Sequence, residues 1–150
     1  MSVTYQEKKS IVSLISAILI FITFCFFMYP QYPEGEIDLS ETYSYWGFFV
    51  LILTVVSIIA HIVISIVFNI FFRITTKEKE PAFSDELDKL IDLKANRNSF
   101  FVFIIGFIIA MASLTIDERS QLVFIILIGS GFTSDVVGSL SKIYYYRRGV

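Results

Sequence analysis

Four stretches of this chain are nearly unbroken runs of apolar residues, separated by polar or charged breaks. They run from about Ser10 to Tyr29, Ser44 to Phe72, Asn98 to Thr115 and Ser120 to Tyr144, the last being the least apolar. A helix of about 20 mainly apolar residues crosses the hydrocarbon core of a bilayer. The pattern therefore predicts an all-α integral membrane protein, a single-domain bundle of four transmembrane helices. Pro30 and Pro33 close the first run, since proline has no N–H with which to continue a helix. That run follows Glu7, Lys8 and Lys9, as a secretory leader would follow its basic start. Its apolar stretch is too long for a leader and no small-x-small cleavage pattern follows, which predicts a retained helix. As a helix the second run would reach roughly 43 Å, so it must tilt or project beyond the membrane. Tyr43, Tyr45 and Trp46 at its start, and Tyr144, Tyr145 and Tyr146 at the end of the fourth run, match two headgroup-level aromatic belts.

One sizeable polar segment, 73–97, separates the second run from the third. Lys77-Glu78-Lys79-Glu80-Pro81 reads as a solvated linker. Ser84 is suited to cap a helix, and Asp85 and Glu86 to its positive end. Phe83, Leu87, Leu90, Ile91 and Ala95 then recur on one helical face, with Asp85, Asp88, Lys89 and Asp92 on the other. Asp85 and Lys89 stand four apart in the favourable order. The spacing predicts an amphipathic helix from about Asp85 to Ala95, between helices 2 and 3 and open to continuing into the third. Such a face either packs beneath its own bundle or, through Phe83, Leu87, Leu90 and Ile91, docks a partner protein or the membrane surface.

Composition agrees with lipid as the solvent. Apolar residues are 55% of the 150, including 16 Phe, more apolar surface than a soluble domain of this size can hide. Charge then orients the helices. Eleven of the twelve Lys and Arg residues lie in the N-terminus, segment 73–97 and the C-terminal tail, and the segment after the first run carries Glu34, Glu36, Asp38 and Glu41 with no basic residue. Basic residues favour the cytoplasmic side, so the expectation is a multi-pass cell-membrane protein with both termini and segment 73–97 cytoplasmic. No basic patch interleaved with exposed aromatics supports direct nucleic-acid binding. The one cysteine, Cys25, permits no intramolecular disulfide and no cysteine metal framework.

Ionisable residues inside a span cost a few kcal/mol on insertion scales and call for a reason. Ser57, His61, Ser65, Asn69 and Arg73 follow one another at intervals of four, a polar stripe along one side of the second helix. The fourth carries Gly129, Ser130, Gly131, Thr133, Ser134, Asp135, Gly138, Ser139 and Ser141, small residues that let helices approach closely. Both helices run in the same direction, and counting back from Arg73 and Arg147 places His61 and Asp135 at similar depth. Their meeting, directly or through a water, would form either a polar clasp that fixes the helix arrangement or a relay and transport site; the remaining reading is that they do not meet. The Gly129–Asp135 stretch reads as an intact helix with a small-residue face in preference to a broken one. Gly106 and Ala110 suggest close packing of the third helix. A lone histidine excludes a bis-histidine haem within one chain, and no phosphate loop, nucleophile elbow or paired-histidine zinc motif is present. The expectation is a protein that is not an enzyme and needs no cofactor or metal, with surfaces compatible with a homo-oligomer.

The stretch Ser84-Asp85-Glu86-Leu87-Asp88-Lys89-Leu90-Ile91-Asp92-Leu93-Lys94-Ala95-Asn96-Arg97 and the ending Ser139-Leu140-Ser141-Lys142-Ile143-Tyr144-Tyr145-Tyr146-Arg147-Arg148-Gly149-Val150 resemble a family of small prokaryotic integral membrane proteins, catalogued as domain of unknown function 2178. The resemblance covers the second half, about Asp85 to Val150, with Leu87 where the family has arginine. It implies no activity. It does imply that members are often encoded beside small DNA-binding regulators, hence a cytoplasmic regulator protein as partner. The expected function is a small non-enzymatic membrane protein that senses, regulates or anchors a partner through its inner segment and tail. The alternative is an oligomeric transporter or channel subunit using Ser57, His61, Ser65, Asn69 and Asp135.

Overall fold

A computed structural model of the chain describes residues 5–32, 38–76, 86–116 and 120–148. These form four long helices: α1 (Tyr5–Met28), α2 (Leu39–Thr76), α3 (Glu86–Ile116) and α4 (Ser120–Arg148), with a single 3-10 turn, Tyr29–Gln31, after α1. Each helix is long and apolar enough to cross a membrane. Phe83, Ser84 and Asp85 lie outside the described residues, as do Pro33, Glu34 and Glu36.

The helix ends follow local chemistry. Pro30 sits in the 3-10 turn that ends α1, and the Tyr32 N–H closes that turn on the Tyr29 carbonyl at 3.3 Å. Asp38 begins α2, its carbonyl accepting from the Glu41 and Thr42 N–H groups at 3.1 and 3.2 Å. The glycine-rich part of α4 is unbroken helix. Ser130 and Thr133 return their hydroxyls to the carbonyls of Ile126 and Gly129 at 2.6 and 2.7 Å, which satisfies these donors within the helix. The amphipathic segment is likewise no separate element: residues 86–95 are the first turns of α3.

The helices do not close into a full ring. α3 and α4 form the most extensive pair, α1 packs against α4 and α2, and α2 touches α4 only lightly; among the described residues no close backbone contact joins α2 to α3. The order in space is thus α2, α1, α4, α3, with a gap between the two ends of the series.

Small residues set the α3–α4 seam. Ile91, Ala95, Gly106 and Ala110 are the buried positions of α3. Ser99 and Ser134 bond reciprocally, each hydroxyl donating to the other's carbonyl at 2.8 Å. A Cβ added to Gly106 would overlap the Ser130 side chain, and one on Gly138 would stand 3.3 Å from Ser99 Cβ. Backbones this close gain dispersion contacts along the whole seam and bring hydroxyls within bonding reach.

The start of α1, the end of α2, the start of α3 and the end of α4 share one end of the molecule. Tyr5 donates to Asn69 Oδ1, Gln6 Nε2 to Asp88 Oδ2 at 3.4 Å, and Arg147 Nε to the buried Glu7 carboxylate at 2.7 Å. The opposite end is aromatic: Phe24, Met28 and Phe49 form a buried cluster against Tyr45 and Trp46, and Trp46 stacks on Phe124. The outer faces are apolar and uncovered. None of the most apolar stretch of α2 is buried, and Phe26, Phe48, Phe71 and Phe100 are all exposed.

Candidate functional site

The polar stripe of α2 faces its neighbours as its spacing predicts. Ser57, His61, Ser65 and Asn69 are half-buried, whereas Arg73, one turn on, is exposed. Asn69 is tied to Tyr5 of α1. His61 Nδ1 lies 2.8 Å from the Ser57 carbonyl oxygen. A carbonyl only accepts, so Nδ1 carries the proton, and in the neutral ring Nε2 is left as a proton acceptor. The local helix thus fixes the tautomer: the ring folds back one turn and bonds its own backbone.

Asp135 and His61 line the same two cavities and make no bond to each other. The first cavity, of about 460 Å³, is polar, and its lining reaches the end of the molecule where α1 starts and α4 finishes. Beside His61, Ser65 and Asp135, its walls include Lys9 of α1, Asp88 and Asp92 of α3, and Lys142 and Tyr146 of α4. The second, of about 750 Å³, is apolar and takes its walls from all four helices, including Leu53 of α2 and Phe103 of α3. Ser57, His61 and Asp135 are its polar wall groups besides Thr54. The two ionisable residues therefore mark the boundary between a polar vestibule and an apolar chamber. Among the described residues no hydrogen bond or ion pair reaches the Asp135 carboxylate. A direct clasp between His61 and Asp135 is absent among the described residues, whereas Ser99 and Ser134 do bond directly across the α3–α4 seam.

The first turns of α3 sit differently from the periodicity's expectation. Ile91 and Ala95 are fully buried, but Leu87 and Leu90 are exposed, while Asp88 and Asp92 are half-buried and line the polar cavity. Asp88 accepts from Gln6 Nε2, the negative charge of Asp88 acts on the nearby Tyr146 phenol, and Asp92 forms a 2.9 Å ion pair with Lys142. Polar partners on α1 and α4 draw these carboxylates toward the molecule, because satisfied polar contacts outweigh modest amphipathicity. Ile91 is accordingly core and unavailable to a partner, a correction to the four-residue docking face; Leu87 and Leu90 remain open, and Phe83 lies outside the described residues.

Asn96 and Ser99 escaped the sequence reading, and Asp88 and Asp92 entered it only as the polar face of a helix. Asp88, Asp92, Asn96 and Ser99 all line the polar cavity. Their spacing of four, four and three is a second polar stripe, running from the charged segment into the third span. Asn98, beside it, donates to Ser141 Oγ and Tyr145 Oη at 3.2 Å each.

Among the described residues no three His, Cys, Asp or Glu side chains converge as metal ligands do. What the arrangement offers instead, among the described residues, is a carboxylate without a bonded partner and an imidazole, both on the shared wall of a polar and an apolar cavity. No family model, no curated protein and no solved structure matches this chain.

Proposed function

We propose that the chain is a non-enzymatic, multi-pass cell-membrane protein that carries protons, coupled to a solute, through a site at His61 and Asp135. Lipid is the solvent that fits helices with uncovered apolar faces of this extent. The observation that carries the functional reading is the meeting of the polar and apolar cavities at these two residues. A carboxylate at membrane depth, with no protein partner among the described residues, is costly while charged and calls for a counter-charge from what passes through the site. His61 Nε2 supplies a second station for the proton. The charged and titratable groups facing this pair are Lys9 from α1, Asp88 and Asp92 from α3, and Lys142 and Tyr146 from α4. They line the route to the end we assign to the cytoplasm, where the basic residues collect.

Reconstituted into liposomes holding an entrapped pH dye, the protein is expected to dissipate an imposed pH gradient faster than empty liposomes. Asp135→Asn should reduce this to the empty-liposome rate and His61→Ala should slow it several-fold. Flux that is unchanged in Asp135→Asn, or wild-type flux no faster than empty liposomes, would remove the transport reading.

The second reading is a docking surface for a cytoplasmic regulator, and it rests on the exposure of Leu87 and Leu90 on α3. Exposed leucines that the bilayer does not cover invite a partner. Leu87→Ser with Leu90→Ser should leave thermal stability within about 0.5 kcal/mol, as expected of surface positions. The same pair should abolish capture of a soluble partner by in-membrane crosslinking. Capture that survives both changes would remove this face from consideration.

A further inference from the structure

The apolar cavity has a composition that selects for charge. Phe21, Phe103, Phe107, Phe124 and Phe132 contribute to its wall, and Asp135 stands at its polar edge. Phe21 and Phe132 stack at a centroid separation of 4.0 Å, so two of these rings already form a flat surface. Among the described residues no Lys or Arg lines the chamber, and His61 is its one other ionisable group. At about 750 Å³ it is of the size that small organic ligands occupy. All four helices line it, and because α2 and α3 make no close backbone contact among the described residues, part of the chamber lies in the gap between those two.

We propose that this chamber binds a lipophilic organic cation, which enters between α2 and α3 and rests its positive charge against Asp135 and its apolar groups against the phenylalanines. The proposal rests on the membrane reading and names the solute of the same site. Ring faces carry partial negative charge and attract cations, most strongly where water is excluded. Among the described residues the carboxylate has no counter-ion, and a cation supplies one. An anionic amphiphile meets a carboxylate and no basic group. A neutral lipid chain would fill the volume but leave Asp135 as it was.

The test uses the full chain in nanodiscs of phosphatidylcholine, with labelled tetraphenylphosphonium as probe and tetraphenylborate as its anionic counterpart of the same shape. We expect saturable binding above that of empty nanodiscs. Asp135→Asn should weaken it at least tenfold, Asp135→Glu should retain it within a few-fold, and Phe103→Ala with Phe107→Ala should weaken it several-fold. Tetraphenylborate should not compete. Circular dichroism and size-exclusion profiles matching wild type establish that the variants are folded. Binding that is equal in Asp135→Asn, or equal competition by the anion, would show a merely lipophilic cavity and overturn the proposal. Absence of saturable binding would also overturn it; if proton flux in liposomes still depended on Asp135, the site assignment would stand without this ligand. Failure of both binding and flux would overturn the two together.

Discussion

Replacing Gly106 with alanine should destabilise the protein by about 1–3 kcal/mol, the usual cost of forcing atoms into a filled interface. The added methyl would occupy the space of Ser130 Cβ and Oγ, and Gly106 is buried between the helices. Ser130 Cβ is fixed to its backbone and cannot rotate away, so α3 and α4 must separate. Separation weakens the neighbouring Ser99–Ser134 bonds, whose 2.8 Å lengths depend on the same closeness. The effect is reversible by design. Ser130→Gly removes both overlapping atoms and leaves only the residue's Cα, 3.4 Å from the new methyl, which is close to ordinary contact. Unfolding midpoints in mixed detergent micelles should fall for Gly106→Ala and return most of the way in the double variant. A neutral Gly106→Ala, or a double variant no better than the single one, would mean that the seam is not packed as described.

Removing the Arg147 side chain should cost about 1–2 kcal/mol, less than a fully buried pair because the guanidinium is largely solvated. Its side chain is 65% exposed, against 7% for its partner Glu7. The loss therefore comes from the carboxylate, which stays in place with one of its charged hydrogen bonds gone. Glu7→Gln in the Arg147→Ala background removes that charge and should recover a measurable part of the stability. The same micelle unfolding experiment decides: a double variant as unstable as Arg147→Ala alone would show that the Glu7 charge is not the source of the cost.

Much of the helical architecture was legible because one physical signal dominates it. Runs of apolar residues long enough for a bilayer name the helices, and Pro30 names a boundary. The helices extend past the apolar runs, α1 starting at Tyr5 and α3 at Glu86, because charged residues continue a helix that hydropathy alone would end. The side-by-side placement of His61 and Asp135 followed from counting turns back from Arg73 and Arg147. Their failure to bond was not legible: pattern gives the face and depth of a residue but not whether a neighbouring helix closes the distance. The placement of Asp88 and Asp92 on the cavity wall was missed for a related reason. A single helix's apolar stripe predicts its buried face only when its neighbours are apolar there, and Gln6, Lys142 and Tyr146 are not. The gap between α2 and α3 lies deeper still, since adjacency in sequence argues for adjacency in space and here that rule is broken.

The spatial order α2, α1, α4, α3 bears on how the protein is made. Chains emerge from the N-terminus onward, so α1 and α2 can pair as soon as both exist. Among the described residues α3 has no close backbone contact with either of them. Until α4 is synthesised, the side chains of α3 that will meet it, Asn98 and Ser99 among them, have no seam to enter. The last helix completed is the one on which both halves converge. Assembly of the four then waits on α4, and a ribosome stalled before Ser120 would leave a hairpin and a stray helix side by side without the seam that joins them.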